Sequence, residues 1–494
     1  MSEATLNGSV AAAGSGHGLR KVLTWKDGLA IAMVMPAGAV ASYGYWQGAL
    51  GTWGTMLIIG ISTLIAILQA VIVAELAGMF PDKPGGIGMF AHEGWKRYTN
   101  LAGPLAAFGY WFGWSVALAL NGLVIGQLLQ AQFFPDQTWG GTVDLGPLSF
   151  TWGLAHLIGA AAIILVWIFN VKGAKVLAVS SYFLGAMLMI PLAIFMFGPF
   201  LAGQWSSANL SYHVMPDGSN GHNWTYFIVW LYLMGWSTYG IEIVATFVPE
   251  FKNPQSDTPR ALRWCSIITA ATFFMMPLAT GGMMTDGKPA GGGAPGAFYT
   301  DIAAKLLGGG APFIILLLCA ALLLVMNGAT ADGGRVLYGM SRDGLTLKSL
   351  GKLNEHAVPA RAMTVDLFVN LFLLFFVSNP VGIYATANLG YFVTMFFMIT
   401  AFILLRKDRP NWPRPIKLSS IWVPIAWVLA FVTVILTVIG ATRYDLSGYG
   451  SLSQLVIGIL VLLLAIVLWI YRQTVEDGKA IEWRDMTPVV TPKR

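Results

Sequence analysis

Charged residues are scarce in this chain of 494 residues: Asp, Glu, Lys and Arg together make up 11% of it. A soluble globular domain carries about 25%, so the composition excludes that class. Hydrophobic residues account for 56%, and the mean hydropathy is +0.67. The chain is therefore predicted to be an all-α membrane protein that crosses the lipid bilayer several times.

Residues for covalent or metal chemistry are also few. The two cysteines, Cys265 and Cys319, lie in or beside apolar segments, so no disulfide framework is indicated. The six histidines lack metal-ligand spacing, no phosphate-binding Walker loop occurs, and no nucleophile–base set stands out. We expect neither an enzyme nor an ATP-driven pump, and neither a metal nor another cofactor.

Apolar runs, by contrast, are abundant and long enough, at about 20 residues, to cross ~30 Å of hydrocarbon. Twelve transmembrane helices are predicted. They cover residues 28–51, 53–79, 101–133, 151–170, 173–202, 223–251, 260–284, 311–341, 362–378, 381–405, 421–441 and 452–471.

Lys and Arg concentrate in cytoplasmic loops, and they support this count. With the N-terminus inside, 26 of the 29 Lys and Arg residues lie in cytoplasmic segments. The exceptions are Lys288, Lys305 and Arg443. Both termini are therefore predicted to be cytoplasmic, in a cell (plasma or inner) membrane. The same one-sided distribution explains the net charge of +6 without a nucleic-acid partner.

Two of the segments carry interruptions. The sixth contains Ser237–Gly240 and then Glu242. An acid inside a hydrocarbon-length segment is costly and indicates function, and a broken helix frees backbone groups that can line a substrate site. The first segment is interrupted at Met35–Ala39 by Pro36 and Gly38. Each interruption opens a group of five segments. Because five is an odd number, the two groups start from opposite sides of the membrane and are therefore related by inversion.

This symmetry predicts a simple domain organisation. A disordered cytoplasmic tail (1–24) precedes a ten-helix core (25–405), whose repeats are residues 25–202 and 223–405. Two further transmembrane helices (421–471) and a second cytoplasmic tail (472–494) follow.

Four stretches of the chain resemble the amino acid–polyamine–organocation (APC) superfamily. They are Ala74–Pro81 with Gly85–Phe90, Val171–Lys175, Trp236–Glu242 with Glu250–Pro254, and Arg335–Gly344. The resemblance implies the LeuT-like five-plus-five inverted repeat with discontinuous helices 1 and 6. It also implies secondary transport of amino acids or related amines by alternating access.

The resemblance places a substrate site at the two interruptions. There, a helix N-terminus offers N–H groups to a carboxylate, and a helix C-terminus offers carbonyls to an ammonium group. We expect the carboxylate near Gly38–Val40 and the ammonium near Trp236–Tyr239, with Trp236 as a lid. The first interruption lacks the hydroxyl usual in the superfamily. The expected substrate-binding residues are Ala37, Gly38, Ala39, Val40, Trp236, Ser237, Thr238, Tyr239, Gly240, Trp111 and Asn121.

Three residues are predicted to couple transport to an ion, with H⁺ favoured over Na⁺. Glu242 is a proton-responsive carboxylate by resemblance, and Lys175 stands where proton-coupled relatives carry a lysine. Asp332 is expected to pair either locally with Arg335, which would be a structural role, or with Lys175, which would be a coupling role. Glu75, near the inner end of the second segment, is expected to be a structural partner for the basic loops.

The sequence therefore predicts a proton-linked symporter or exchanger for amino acids or small amines, working in the lipid bilayer. Two alternatives stay open. One is an amine-specific carrier for choline-, ethanolamine-, GABA- or polyamine-like substrates, and the other is a protein that binds substrate without cycling. Substrate identity and oligomeric state leave no clear trace in the sequence.

Overall fold

The computed structural model describes residues 18–146, 149–210, 224–377, 380–446 and 451–487. This part of the chain is mostly helical. Its α-helices are α1 (Trp25–Ala32), α2 (Val34–Gly38), α3 (Tyr43–Met79), α4 (Gly86–Trp95), α5 (Ala102–Ser115), α6 (Ala117–Phe133), α7 (Leu154–Asn170), α8 (Ala174–Leu201), α9 (Trp224–Thr238), α10 (Pro254–Gly281), α11 (Pro295–Leu307), α12 (Ala311–Arg342), α13 (Ala360–Phe376), α14 (Pro380–Asp408), α15 (Trp422–Thr442) and α16 (Leu452–Tyr471).

Among the described residues, eight helical stretches are long and apolar enough to cross a membrane. They are Tyr43–Met79, Ala102–Phe133, Ala174–Leu201, Pro254–Gly281, Pro295–Arg342, Ala387–Asp408, Trp422–Thr442 and Leu452–Glu476. Two shorter apolar helices, Leu154–Asn170 and Trp224–Gly235, accompany them. The prediction of an all-α membrane protein is thus confirmed at this level.

Burial separates central helices from peripheral ones. The most apolar window of Ala102–Phe133 is 89% buried, whereas that of Leu452–Glu476 is 22% buried. A helix that is apolar all round and still exposed suits a lipid environment, so α16 belongs at the edge. Helix α12 is buried along nearly its whole length and packs against α5, α6 and α8, which makes it the centre of the bundle.

Gly51 divides α3 into two helices, because its φ of 65° lies in the left-handed region that glycine tolerates. This position is the boundary that the sequence places between the first and second segments. The corresponding boundary near Ser378 and Asn379 lies outside the described residues.

A small β-hairpin departs from the purely α-helical expectation. Strands β1 (Gly140–Asp144) and β2 (Ser149–Gly153) pair antiparallel, with Gly140 opposite Gly153. Their Thr, Val, Phe and Trp residues favour extended backbone. The helix expected from residue 151 therefore starts later, at Leu154.

One face of the bundle, which we call the α4 face, consists of residues 80–101 and the segments that contact them. The C-terminal segment reaches this face, where the backbone N–H of Asn100 donates to the Trp483 carbonyl at 2.8 Å. Lys96 and Asp485 form an ion pair of 3.2 Å there. Part of the predicted C-terminal tail is therefore packed against the core.

Candidate substrate site between two interrupted helices

The sixth apolar segment is broken at the predicted place. Helix α9 ends at Thr238, and a 3-10 segment runs from Ile241 to Glu250. Between them Gly240 has a φ of 120°, which a residue with a side chain rarely adopts. The backbone direction changes at this glycine, and the Ser237–Gly240 interruption is real.

The first segment is interrupted less sharply than predicted. Helix α1 ends at Ala32, α2 covers Val34–Gly38, and one 3-10 turn follows at Ala39–Ala41. Gly38 and Ala39 keep right-handed helical φ and ψ. The interruption predicted at Met35–Ala39 thus takes the form of a change from α to 3-10 geometry at Ala39. Pro36 itself does not open the helix, because a proline in the first turn of a helix breaks no hydrogen bond.

Backbone groups at the first interruption are already engaged. The Ala39 N–H donates to the Ala37 carbonyl, and the Val40 carbonyl accepts from the Tyr299 hydroxyl at 2.8 Å. Ala37, Ala39 and Val40 are each 0% exposed. A substrate carboxylate would have to displace part of this arrangement to reach the Ala39 donor.

The two interruptions meet inside the protein. The Ser42 hydroxyl, directly after the 3-10 turn, lies 3.1 Å from the Ser237 hydroxyl, and both residues are buried. Next to Ser237, the Thr238 hydroxyl donates to the Met234 carbonyl at 2.9 Å and pairs with the Ser62 hydroxyl. Ser42 thus supplies a hydroxyl at the first interruption, four residues beyond Gly38.

A small cavity lies at this meeting point. It is lined by Val34, Met35, Gly38, Gly113, Trp114, Ser237, Val325 and Tyr391. Its volume of about 20 Å³ gives room for roughly one water molecule. The space at this position is therefore too small for an amino acid in this conformation. Of the predicted binding residues, Gly38 and Ser237 line the cavity.

Aromatic rings close the cavity region on the side of α14. Tyr239 is 2% exposed, and its ring lies 6.3 Å from that of Tyr391 and 5.5 Å from that of Phe392. Trp236, the predicted lid, lies in α9, but its side chain is outside the described part of the structure.

Glu242 is buried beside the cavity, 4% exposed. It lies in the first turn of the 3-10 segment, and its carboxyl group accepts a hydrogen bond from the Tyr391 hydroxyl. The rings of Tyr391 and Tyr110 stack at 6.1 Å. Since Tyr391 also lines the cavity, one side chain separates Glu242 from the cavity.

Asp332 has neither of the expected partners. Arg335 instead binds Glu250 through its Nε and Nη2 groups, the latter at 3.1 Å, and Nη1 donates to the Ala331 carbonyl at 2.8 Å. Both Arg335 and Glu250 are 1% exposed or less. The predicted local pair of Asp332 with Arg335 is thus replaced by a buried pair between α12 and the 3-10 segment. Removing one member of such a pair costs about 3–5 kcal/mol.

Lys175, the other expected partner, is exposed, whereas Asp332 is fully buried. It lies in the first turn of α8, and within the described residues it forms no ion pair. The pairing with Asp332 is absent in this conformation, and a coupling role for Lys175 stays a prediction.

Two predicted residues of the third segment are buried. Trp111 is 4% exposed, and Asn121 is 0% exposed and donates to the Ala117 carbonyl at 2.7 Å. The helix is interrupted between them at Val116, where the Ala119 N–H is satisfied by the Asn370 side chain at 3.0 Å. Neither residue lines the small cavity.

Several buried polar residues were not expected from the sequence. They are Ser42, Glu250, Asp366, Asn370 and Tyr391. A signal existed for Asp366, because it is an acid within an apolar segment of hydrocarbon length, as Glu242 is. No comparable signal marks Tyr391 or Ser42, since hydroxyl residues are ordinary in membrane helices.

The α4 face is closed by ion pairs and by the N-terminal segment. Glu75 is fully buried and binds Arg406 at 2.6 Å and Arg414 at 3.1 Å, which confirms its predicted structural role. The backbone N–H groups of residues 22 and 23 both donate to the Glu250 carbonyl at 2.9 Å. The last residues of the predicted disordered tail are therefore ordered against the sixth segment.

With this geometry established, comparison with known proteins identifies the family. A family model described as amino acid permease matches residues 23–466. The chain belongs to this family. It is a multi-pass membrane transporter rather than an enzyme, as the sequence predicts.

Three similar proteins from other organisms are also named permeases or transporters. The amino-acid permease RocE of Bacillus subtilis is 24% identical over 346 residues, which is 68% of each chain. The D-serine/D-alanine/glycine transporter of Escherichia coli K12 is 24% identical over 70% of this chain and 75% of its own. The lysine-specific permease of Saccharomyces cerevisiae is 24% identical over 67% of this chain and 56% of its own.

Proposed function

We propose that this permease is a secondary active transporter that moves amino acids across the plasma membrane by alternating access. The observation that carries the proposal is the contact between the two interrupted segments. Ser42 and Ser237 lie 3.1 Å apart in the protein interior, at a cavity too small for an amino acid. A buried site that must open to one side at a time suits this mechanism.

The proposed architecture has twelve membrane spans, with both termini in the cytoplasm. Gly51 would separate the first two spans, and the α4 face, with its basic residues, would be cytoplasmic. The first ten spans would form two inverted repeats, so that the interruptions at Ala39–Ala41 and Gly240 meet near the midplane.

Substrate would be held mainly by backbone groups. The C-terminal end of α9 presents the carbonyls of Trp236–Tyr239 to an ammonium group, because a helix C-terminus carries partial negative charge. The carboxylate would lie towards Gly38–Val40 and the Ser42 hydroxyl. Trp236 would cover the substrate, and Trp111 and Asn121 would contribute to the site in a more open conformation.

We further propose that transport is coupled to protons, with Glu242 and Asp332 as coupling residues and Lys175 as a third candidate. Glu242 is buried next to the cavity and contacts it through Tyr391. A buried carboxyl group that changes its protonation as the site opens would tie substrate movement to proton movement.

A second candidate is a carrier specialised for cationic amino acids or amines. Glu242 favours it, because a buried carboxylate beside the cavity could balance an additional positive charge. The yeast relative is named a lysine-specific permease. Neutral and cationic substrates therefore both belong in the experimental test.

Uptake into proteoliposomes tests these proposals. Purified protein would be offered a panel of labelled neutral, acidic and cationic amino acids and small amines, with and without an inward proton gradient. We expect saturable uptake of at least one amino acid, increased by the gradient. Uptake of amines alone would favour the amine carrier. Binding without flux for the whole panel would contradict transport and leave a sensor.

A further inference from the structure

Asp332 and Asp366 are buried acids that form no ion pair among the described residues. Each residue is 0% exposed. Within the described residues, none of their four carboxyl oxygens has a hydrogen bond of good geometry; Thr246 approaches Asp332, and Ser115 and Trp111 approach Asp366, as weaker donors. Leaving a buried polar group unsatisfied is costly, and leaving a buried carboxylate unpaired is more so. Two buried carboxyl groups without a cation therefore indicate a functional role.

The two acids face one small region between α12, α13 and α5. Gly333 follows Asp332 directly, and a Cβ atom built on it would lie 3.3 Å from Asp366 Oδ2 and 3.3 Å from Trp111 Cδ1. The indole N–H of Trp111, on the atom bonded to Cδ1, is one of the weaker donors to Asp366, and the residue is 4% exposed. A glycine at 333 thus leaves room for polar groups to converge.

The charged and titratable neighbours come from every element packed around the pair. Asp332 interacts with Glu242 from the 3-10 segment, with Arg335 on its own helix and with Asp366 from α13. Helix α5 contributes Tyr110, which interacts with Asp332, and Trp111 and Ser115, which face Asp366.

Arg335 is the single cation in this set, and its guanidinium group forms an ion pair with Glu250. Two of its nitrogen groups bind Glu250, and it contributes no ion pair to Asp332 or Asp366. The described residues contain no group of three or more His, Cys, Asp or Glu side chains arranged to hold a metal ion. Protonation would neutralise these two buried carboxyl groups without a cationic partner.

We propose that Asp332 and Asp366 form a two-carboxyl proton site that couples transport to the proton gradient. The proposal rests on the transport function proposed above and names the site of its coupling ion. When the protein opens to the acidic side, a carboxylate oxygen accepts a proton from a hydronium ion, which leaves water. When it opens to the other side, the same O–H bond breaks and the proton returns to water.

A buried polar path joins this site to the substrate cavity. Asp332 interacts with Tyr110, whose ring stacks on Tyr391 at 6.1 Å. Tyr391 in turn lines the cavity and donates to Glu242. Occupancy of the cavity and protonation of the acid pair therefore affect one continuous set of side chains.

Asp366→Asn tests the proposal, because asparagine preserves size but binds no exchangeable proton. In proteoliposomes, we expect counterflow of a transported amino acid at equal pH to continue. Stimulation of uptake by an inward proton gradient should be lost completely. Asp136→Asn is the matched control, since Asp136 is exposed, and it should keep full stimulation. The infrared carbonyl band of protonated carboxyl groups should shrink in Asp366→Asn at neutral pH.

The outcomes separate this site from the transport function itself. Wild-type protein that moves no member of the substrate panel would refute the function. Wild-type transport together with continued proton stimulation in Asp366→Asn, or stimulation by sodium instead, would overturn the acid pair. So would joint loss of counterflow and stimulation in a monodisperse variant. If Asp366→Asn is not recovered folded, Asp332→Asn must lose stimulation and Asp366→Glu must retain it; the opposite results overturn the proposal.

Discussion

Glu242 combines two properties that seldom occur together in an apolar environment. It is a carboxyl group, 4% exposed, and it accepts a hydrogen bond from the hydroxyl of Tyr391, with the Trp114 indole as a weaker donor. Arg335, a buried cation on the neighbouring helix α12, binds Glu250 instead. The side chain is therefore free to respond to a proton or to a cationic substrate.

Replacing Glu242 by Gln should separate these two responses. Glutamine still accepts a hydrogen bond from Tyr391 but neither titrates nor carries charge. Losing a charge-assisted hydrogen bond costs about 1.5–3 kcal/mol, so KM for a cationic substrate should rise roughly tenfold or more. For a neutral substrate, the pH profile of uptake should shift instead. Both are read from initial uptake rates.

Tyr391→Phe is the companion variant, because it removes the hydroxyl and keeps the carboxyl charge. It should leave KM for cationic substrates closer to wild type than Glu242→Gln does. Wild-type KM and an unchanged pH profile in Glu242→Gln would assign this acid a purely structural role.

At the scale of elements, interrupted helices decide where the site lies. Three apolar segments are discontinuous in the described structure: at Ala39–Ala41, at Val116 and at Gly240. All three contribute to the same interior region, because Gly38, Trp114 and Ser237, which lie shortly before these positions, line the cavity. Continuous helices would have satisfied their own backbone groups and left little for a substrate.

Gly240→Ala tests the sharpest interruption. A Cβ atom there would lie 2.5 Å from Met35 Sδ and 2.8 Å from Trp114 Cζ2, and φ of 120° is strained for alanine. Methionine can move, but the indole ring and the backbone strain remain, and such strain costs about 1–3 kcal/mol. We expect a lower melting temperature in detergent and loss of uptake.

The control for this variant is Gly185→Ala in α8, where an added Cβ meets no atom within 4 Å. A helical glycine replaced by alanine gains up to about 1 kcal/mol, so stability and uptake should be preserved. Normal stability and uptake in Gly240→Ala would show that this backbone turn is dispensable.

For the whole molecule, the α4 face holds the helix ends together by charge. Glu93 binds Lys83 and Arg409, the latter at 2.8 Å. Burial alone would raise the pKa of Glu93, but Lys83 and Lys96 outweigh it and hold this pKa well below the usual range. The network is thus fully charged at neutral pH, and its stabilising effect declines progressively as the pH falls below the ordinary Glu pKa of 4.5.

His92, on the same face, should make the protein sensitive to milder acid. Burial lowers its pKa to about 4, although the nearby Asp343 opposes the shift. An unfolded histidine titrates near pH 6.5, so between about pH 6.5 and 4 only the unfolded state gains this proton. The free energy of unfolding should therefore fall as the pH drops through this window.

Thermal unfolding in detergent across that range checks the effect. His92→Asn should flatten the pH dependence, whereas His356→Asn, on an exposed side chain, should keep the wild-type slope. An equal slope in His92→Asn and wild type would rule out His92 as the source of acid sensitivity.

Much of this protein follows from the sequence alone. Scarce charge and long apolar runs are one-dimensional properties, so membrane insertion and the transporter class could be read directly. The interruption at Ser237–Gly240 and the structural role of Glu75 were also predictable, because a glycine in a broken helix and an acid beside basic loops have local causes.

Tertiary structure decided which side chains meet. Sequence spacing favoured Asp332 with Arg335, but the guanidinium group reaches Glu250, 85 residues away. The tertiary structure also places Asp332 beside Asp366. At the first interruption, the hydroxyl that contacts Ser237 comes from Ser42, which lies beyond the predicted Pro36–Val40 stretch. Pairing between buried polar groups depends on helix rotation and packing, which no local pattern encodes. The sequence by itself therefore determined the kind of protein and the helices that carry its site. Only the fold determined the contacts within it.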